Sequence, residues 1–242
     1  MIRQGWATTD LEARISHHVR EWGRLTKIAE PARRTALPFV TIQRDFGCEA
    51  LRIAQMLSVI LNQRFNKTIA WVAYDRELLD RVASELHLRR EVVEAIDGSR
   101  RDEMAELFDS LLNRKVPDTL MVQKLAEVVR SLALRGHTIL VGRGSHLVTK
   151  DLKSGLHVRL TAPRLWRVNR VAACRKIPSP TAEQVLVEGE RERRHFLNTF
   201  FVQDPQRPFQ HDLIVDVSQF APADVAKIIA AAVATRGLAL AA

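Results

Sequence analysis

The segment from Phe39 to Ala54 has the layout of an anion-binding loop. Residues 39–42 are aromatic or β-branched and predict a buried strand. Gly47 lies in a short turn, and apolar residues spaced by three or four predict a helix over about 49–63. The backbone N–H groups of such a turn and the positive end of the helix can hold a phosphate. The pattern G-x-x-x-x-G-K-[ST] is absent, however, so a plain strand-to-helix turn is the simpler interpretation of these residues alone.

Arginine is the second feature that points to anions. Lys and Arg number 37 against 28 Asp and Glu, a net charge of +9. Guanidinium groups bind phosphate esters, nucleotides and nucleic acids, although a basic protein can also use its charge for solubility alone. The basic pairs at 89–90 and 100–101 lack the interleaved aromatic residues of single-strand binders. Charge alone therefore leaves an oxyanion partner and simple solubility open, with nucleic acid the less expected partner.

Composition restricts the class of protein. With 242 residues, of which 46% are hydrophobic and 27% charged, the chain suits one large globular domain or a domain with an appendage. The longest apolar run, 228–234, is far shorter than the roughly 20 residues that cross a bilayer. Two cysteines are too few for a disulfide framework, and the N-terminal residues lack the apolar segment of a signal peptide. These observations predict a cytoplasmic protein with no membrane association.

The order of elements predicts the fold class. A capping box at Thr9 and Glu12 opens an amphipathic helix that ends at Pro31, so we expect an N-terminal helical arm over 1–36 that docks on the body or on a second copy of the chain. In the body, 37–242, strands at 39–42, 68–74, 138–141, 156–161 and 213–217 alternate with helices, including 181–202 and 222–234. This alternation predicts an α/β domain with a parallel sheet that is covered on both faces. Ligands then bind at the carboxyl ends of the strands.

Six motifs, in order across about 38–235, resemble the cytidylate kinase-like family, relatives of the nucleoside monophosphate kinases with a P-loop fold. The family's I-T-I-S-R-E-F-G-S-G-G-R-E-I-A is similar to residues 40–54, and its Y-D-R-E-L-L to 74–79. V-G-R-G corresponds to 141–144, and H-V-R-L-x-A-P-x-x-x-R-x-x-R to 157–170. E-R-x-x-F-L-x-x-F is similar to 192–200, and Y-D-L-V to 211–214.

The resemblance implies transfer of the γ-phosphoryl group of MgATP to a nucleoside monophosphate, with CMP favoured. It implies an ATP-binding loop made of Arg44, Phe46, Gly47, Cys48, Glu49, Ala50, Leu51 and Arg52. It implies an acceptor site with Asp75, Arg76 and Arg143, and catalytic arginines at Arg143, Arg167, Arg170, Arg191, Arg193 and Arg194. Simpler interpretations stay open, because Arg143 can form a structural ion pair and the arginines at 191–194 alternate with glutamates on one helix.

The loop departs from the family pattern at Glu49 and Ala50, where the family has glycines and ordinary monophosphate kinases have glycine and lysine. A carboxylate repels a triphosphate, and its Cβ resists the backbone shape that glycine permits. Arg44 or Arg52 could replace the lysine charge. Two hypotheses therefore stay open: an active phosphotransferase, or an impaired nucleotide- or anion-binding regulatory module with the kinase fold. Cys48 lies near a helix start between arginines that favour a lowered pKa, but without a histidine partner we do not expect a nucleophile.

Overall fold

The computed structural model describes residues 37–65, 70–75, 118–142, 144–200 and 211–238, with the backbone alone for 118–124 and 200. Its sheet consists of β1 (Phe39–Arg44), β2 (Val72–Tyr74), β3 (Thr138–Val141), β4 (Gly155–Thr161) and β5 (Leu213–Asp216). The strand order is β2-β3-β1-β4-β5, and every neighbouring pair is parallel. The predicted α/β architecture is confirmed. The expected N-terminal arm lies outside the described residues.

Helices connect the strands. They are α1 (Ala50–Phe65), α2 (Asp118–Arg135), α3 (Ser145–Val148), α4 (Arg164–Arg175), α5 (Ser179–Phe200) and α6 (Pro222–Thr235), with a 3₁₀ turn at Val217–Gln219 before α6. Within the described residues, no helix is long and apolar enough to cross a membrane.

One local prediction needs correction, and two helix features go beyond what the sequence specified. Of the strand expected over 68–74, residues 68 and 69 lie outside the described residues, and 70 and 71 are not part of the strand Val72–Tyr74. The backbone N–H of Trp71 donates to Asn62 Oδ1 on α1 rather than to a neighbouring strand. The short helix α3 was not predicted, since a single turn is too short to show an apolar period. Helix α1 begins at Ala50 rather than Glu49, because Glu49 has a left-handed backbone with φ of 47°.

The core lies between one face of the sheet and two helices. Apolar side chains of β1, β3 and β4 pack with α1 and α6 in a single cluster that includes Val40, Ile42, Leu57, Val158 and Ile229. Helices α2 and α3 contact β3 and β1, and no residue of theirs belongs to that cluster, so they lie on the opposite face. This two-sided cover holds the carboxyl ends of the strands fixed at one edge of the sheet.

Helices α4 and α5 form an antiparallel pair beyond that edge. Val168, Val171, Ala182 and Leu186 form its small apolar core, and Phe46 from the β1–α1 loop packs against it. Lys176 ends α4 in the left-handed conformation, φ 55°, which reverses the chain into α5. The pair brings Arg167 and Arg170 of α4 and Arg193 of α5 to the carboxyl edge of β1 and β4.

Candidate functional site

The loop from Asp45 to Glu49 connects β1 to α1 at the carboxyl edge of the sheet. The backbone N–H of Asp45 donates to Leu160 O on β4, and that of Cys48 donates to Asp45 O. Gly47 has a φ of 94°, and a Cβ there would lie 3.2 Å from both Cβ and O of Arg167. The loop is therefore a tight turn that packs directly against α4.

Glu49 places a carboxylate at the start of α1. Arg170 Nε donates to Glu49 Oε2 at 2.7 Å, and a second guanidinium nitrogen of Arg170 also contacts this carboxylate. Arg52 lies 3.7 Å away, and the Cys174 thiol is 3.6 Å from Oε1. The negative charge at the helix N-terminus is thus supplied by the protein's own side chain.

The residues of this loop do not fit MgATP. Ala50, at the position of the phosphate-loop lysine, is buried in the core, and Leu51, at the position of the Mg²⁺-binding Ser or Thr, offers no oxygen. Arg52 pairs with Glu49, so it does not supply a free lysine-like charge.

Phe46 and Cys48 belong to the packing of the loop. A Cβ on Gly189 of α5 would lie 2.3 Å from two ring carbons of Phe46, so this glycine lets α5 approach the ring. Burial raises the pKa of Cys48 to about 12, and the Asp45 carboxylate adds to this effect. The expectation of a lowered Cys48 pKa was wrong, because burial and Asp45 outweigh the nearby arginines.

Arg167 holds the loop to the helical pair. Its Nε donates to Ala162 O at 2.9 Å, and Nη1 donates to Phe46 O at 3.3 Å. The same Nη1 contacts the carboxylate of Glu190 on α5. The Nε and Nη1 groups of this buried guanidinium thus bind the protein itself, which is typical of a structural role.

A second group of arginines surrounds Asp45. Its Oδ2 accepts from Thr161 Oγ1 at 2.7 Å, while Oδ1 lies 3.3 Å from Arg159 and 3.8 Å from Arg193. Arg44 reaches across the end of β3, with Nη1 2.1 Å from where a Cβ on Gly142 would be. Burial, followed by the charge of Arg44, lowers the pKa of Arg193 to about 10. Three guanidinium groups thus gather at the ends of β1, β3 and β4.

A cavity of about 200 Å³ lies beside the other end of the loop. Its walls come from α4 and from the turn that follows β5, and its floor comes from the loop and α1. The lining residues are Trp166 and Arg170 on α4, Val217, Ser218, Phe220 and Pro222 after β5, and Cys48, Glu49 and Ile53 on the floor. Two aromatic rings and one ion pair therefore bound a space the size of a flat heterocycle.

The remaining predicted residues lie apart from these groups. Arg191 pairs with Glu188 on the exposed face of α5, and Arg194 is also exposed. Asp75 follows β2 and is half-buried, whereas Arg76 and Arg143 lie outside the described residues.

Sequence reasoning did not single out Asp45, Arg159, Trp166 or Phe220. Polar and apolar residues alternate in His-Val-Arg-Leu-Thr at 157–161, which predicts a strand with one polar face. This pattern could have pointed to Arg159, because it lies on that polar face.

Comparison with known proteins identifies the family to which this chain is related. The cytidylate kinase-like family matches residues 39–219. The chain belongs to this family. Its fold is accordingly that of the P-loop kinases, as the motifs indicated. A comparison with curated proteins found no significant match.

Three solved structures show similarity to the chain. An uncharacterized protein from Eubacterium ventriosum is 17% identical with a TM-score of 0.56, covering 82% of this chain and 98% of its own. A shikimate kinase from Acinetobacter baumannii is 16% identical with a TM-score of 0.44, covering 83% and 95%. A gluconokinase from Sinorhizobium meliloti is 14% identical with a TM-score of 0.42, covering 84% and 94%. The family match makes the chain a kinase-like protein, and its phosphate loop departs from the family pattern at Glu49 and Ala50.

Proposed function

We propose that this protein is a nucleotide-binding member of the cytidylate kinase-like family that does not transfer phosphate from MgATP. The observation that carries the proposal is the Glu49 carboxylate in the phosphate loop, paired with Arg170. Of the two hypotheses that the sequence leaves open, this geometry favours the binding or regulatory module. A nucleoside monophosphate, with CMP preferred, is the ligand that the family suggests.

Electrostatics supports the loss of ATP binding. Two like charges 4 Å apart repel by about 4 kcal/mol at the effective dielectric constant near a protein surface. A triphosphate at the start of α1 would meet the Glu49 carboxylate and would have to compete with it for Arg170. Position 50 also lacks the lysine, and position 51 the hydroxyl, that a phosphate loop places beside the triphosphate and its Mg²⁺.

The cavity beside Glu49 supports binding of a base. Trp166 and Phe220 present aromatic surface, and the adjoining Glu49–Arg170 pair presents both an acceptor and donors. A flat heterocycle stacks on aromatic rings and forms hydrogen bonds with its edge, and the cavity offers both kinds of contact.

Phosphoryl transfer is the second candidate, and the backbone at Glu49 favours it. The φ of 47° lies in the left-handed region that glycine prefers, so the loop keeps the path that the family's glycine would give it. In such an enzyme, bound Mg²⁺ would neutralise charge on the transferred phosphate. Arg167, Arg170 and the arginines at 191–194 would brace the transferred group, while Asp75 and Arg143 would hold the acceptor.

Calorimetry with MgATP, CMP and other monophosphates, followed by a coupled ADP-release assay, separates the two candidates. We expect a monophosphate to bind and MgATP neither to bind nor to turn over. Glu49→Gly should then gain MgATP binding, while the control Glu183→Gly, on the exposed part of α5, should not. ADP release by the wild-type protein would overturn the proposal in favour of phosphoryl transfer, and no binding of any nucleotide would overturn both.

A further inference from the structure

The sheet face opposite the apolar core carries polar residues at its carboxyl edge. Side chains alternate along a strand, so Gln43 on β1 and Arg159 on β4, which are register partners, lie side by side on this face. Thr41 and His157 precede them and share a hydrogen bond of 2.8 Å between Oγ1 and Nδ1. Central strands of parallel sheets are normally apolar on both faces. A row of polar side chains here therefore calls for a specific explanation.

Positive charge concentrates on this face. Among the residues that the structure describes, Asp45 is the only carboxylate that pairs with Arg159 or Arg193, so two guanidinium groups share one negative charge. The side chain of Arg193 is only 25% exposed. Burial and the neighbouring Arg44 both lower its pKa, which shows that the surroundings disfavour the cation. An anion bound here would relieve that cost.

Two buried polar atoms on the same face have no hydrogen-bond partner within the described part of the chain. They are Gln43 Oε1 and His211 Nε2. His211 lies close to the guanidinium groups, since burial first and then the charge of Arg159 lower its pKa to about 4. Buried polar groups rarely lack a hydrogen-bond partner, because an unpaired one lowers the stability of the fold by about 1–3 kcal/mol. These atoms are therefore suited to bind a ligand.

We propose that Arg44, Arg159 and Arg193 bind the phosphate group of a phosphate monoester. Gln43 Oε1 accepts a hydrogen bond from a hydroxyl group of the esterified sugar. Asp45 orients the guanidinium groups through its contacts with Arg159 and Arg193. The inference rests on the proposed function for the identity of the ligand as a nucleotide, and it names the residues that would hold its phosphate.

The charge and geometry favour phosphate over a carboxylate. A phosphate monoester carries about −1.5 to −2 charges at pH 7 and three acceptor oxygens. Guanidinium groups bind such oxygens in pairs through their planar N–H forks. Arg159, Arg193 and Arg44 approach from β4, α5 and β1, so their N–H groups can surround one tetrahedral anion.

The test compares binding of CMP, ribose 5-phosphate, inorganic phosphate and cytidine to the full chain by calorimetry. We expect CMP and ribose 5-phosphate to bind more tightly than cytidine, and to bind less tightly as salt rises. Arg159→Gln and Arg193→Gln should each weaken both esters by roughly tenfold or more, because a charge-assisted hydrogen bond contributes about that factor. The control Arg164→Gln removes an exposed guanidinium from α4, where it pairs with Glu183, and should leave the affinity unchanged.

The outcomes separate the inference from the proposed function. If CMP binds but neither glutamine variant weakens it, the inference is wrong and the proposed function stands. If ribose 5-phosphate binds in an arginine-dependent way while CMP does not bind, the inference stands and the proposed function is wrong. Binding of inorganic phosphate without either ester overturns the monoester assignment. Circular dichroism of each variant checks that it is folded, and the salt dependence of the wild-type protein tests the charge independently of any variant.

Discussion

At Glu49 two physical demands act on one residue in opposite directions. Its left-handed backbone, φ 47°, costs a residue other than glycine about 1–2 kcal/mol. Its carboxylate pairs with Arg170, which is partly buried, and so recovers part of that cost. The side chain is retained where glycine would be less strained, which agrees with a carboxylate that serves the protein itself.

This balance predicts an order of stability for two variants. Glu49→Gln loses the ion pair and keeps the backbone strain, so we expect a loss of about 1–2 kcal/mol in the free energy of unfolding. Glu49→Gly loses the pair but also relieves the strain, so its stability should stay close to that of the wild type. Urea denaturation of both variants measures the difference. A glycine variant clearly less stable than the glutamine variant would contradict the proposed strain.

At the scale of elements, the fit of α5 to the phosphate loop depends on one glycine. A Cβ at position 189 would lie 2.3 Å from the ring of Phe46, so any larger residue must push the helix and the loop apart. The contact sets how closely Arg193 approaches Asp45, because both lie at the same junction of helix and loop.

Gly189→Ala should therefore destabilise the protein although alanine favours helices. The gain in helix propensity is about 1 kcal/mol, whereas overpacking costs about 1–3 kcal/mol, so we expect a net loss of up to about 2 kcal/mol. Thermal or urea unfolding measures this, with Gln184→Ala, an exposed position on the same helix, as control. The loss should shrink in the background of Phe46→Ala, and equal losses in both backgrounds would show that the ring is not the obstacle.

Elements were more predictable from the sequence than the site. The strand at 138–141 and the start of α6 at Pro222 follow directly from apolar runs and from proline as a helix-starting residue. The pairing of Arg170 with Glu49 could not be predicted, because the two residues lie 121 positions apart and only the folded sheet brings them together. Arg159 was missed for the same reason, because its role depends on Gln43, which lies beside it on the neighbouring strand.

At the scale of the whole molecule, histidines in and beside the sheet make the stability of the fold depend on pH. Burial lowers the pKa of His137, His157 and His211, the last to about 4 from an ordinary value near 6.5. The charges of Arg159 and Arg193 further lower the pKa of His211, and Asp212 opposes this only in part. Each of these side chains is therefore neutral in the folded protein at pH 7.

This arrangement fixes the sign of the pH dependence. Between about pH 6.5 and pH 4 the unfolded chain binds protons at His211 that the folded protein does not, so stability falls as the pH is lowered through this window. The contribution is fully present above pH 6.5. Unfolding by urea at several pH values should show this loss, and His211→Asn should make the curve flatter, while His195→Asn, exposed on α5, should leave its slope unchanged. A wild-type curve that is level from pH 7 to pH 4 would mean that the buried imidazole takes up its proton without unfolding, and that the surrounding guanidinium groups exert less repulsion than their positions require.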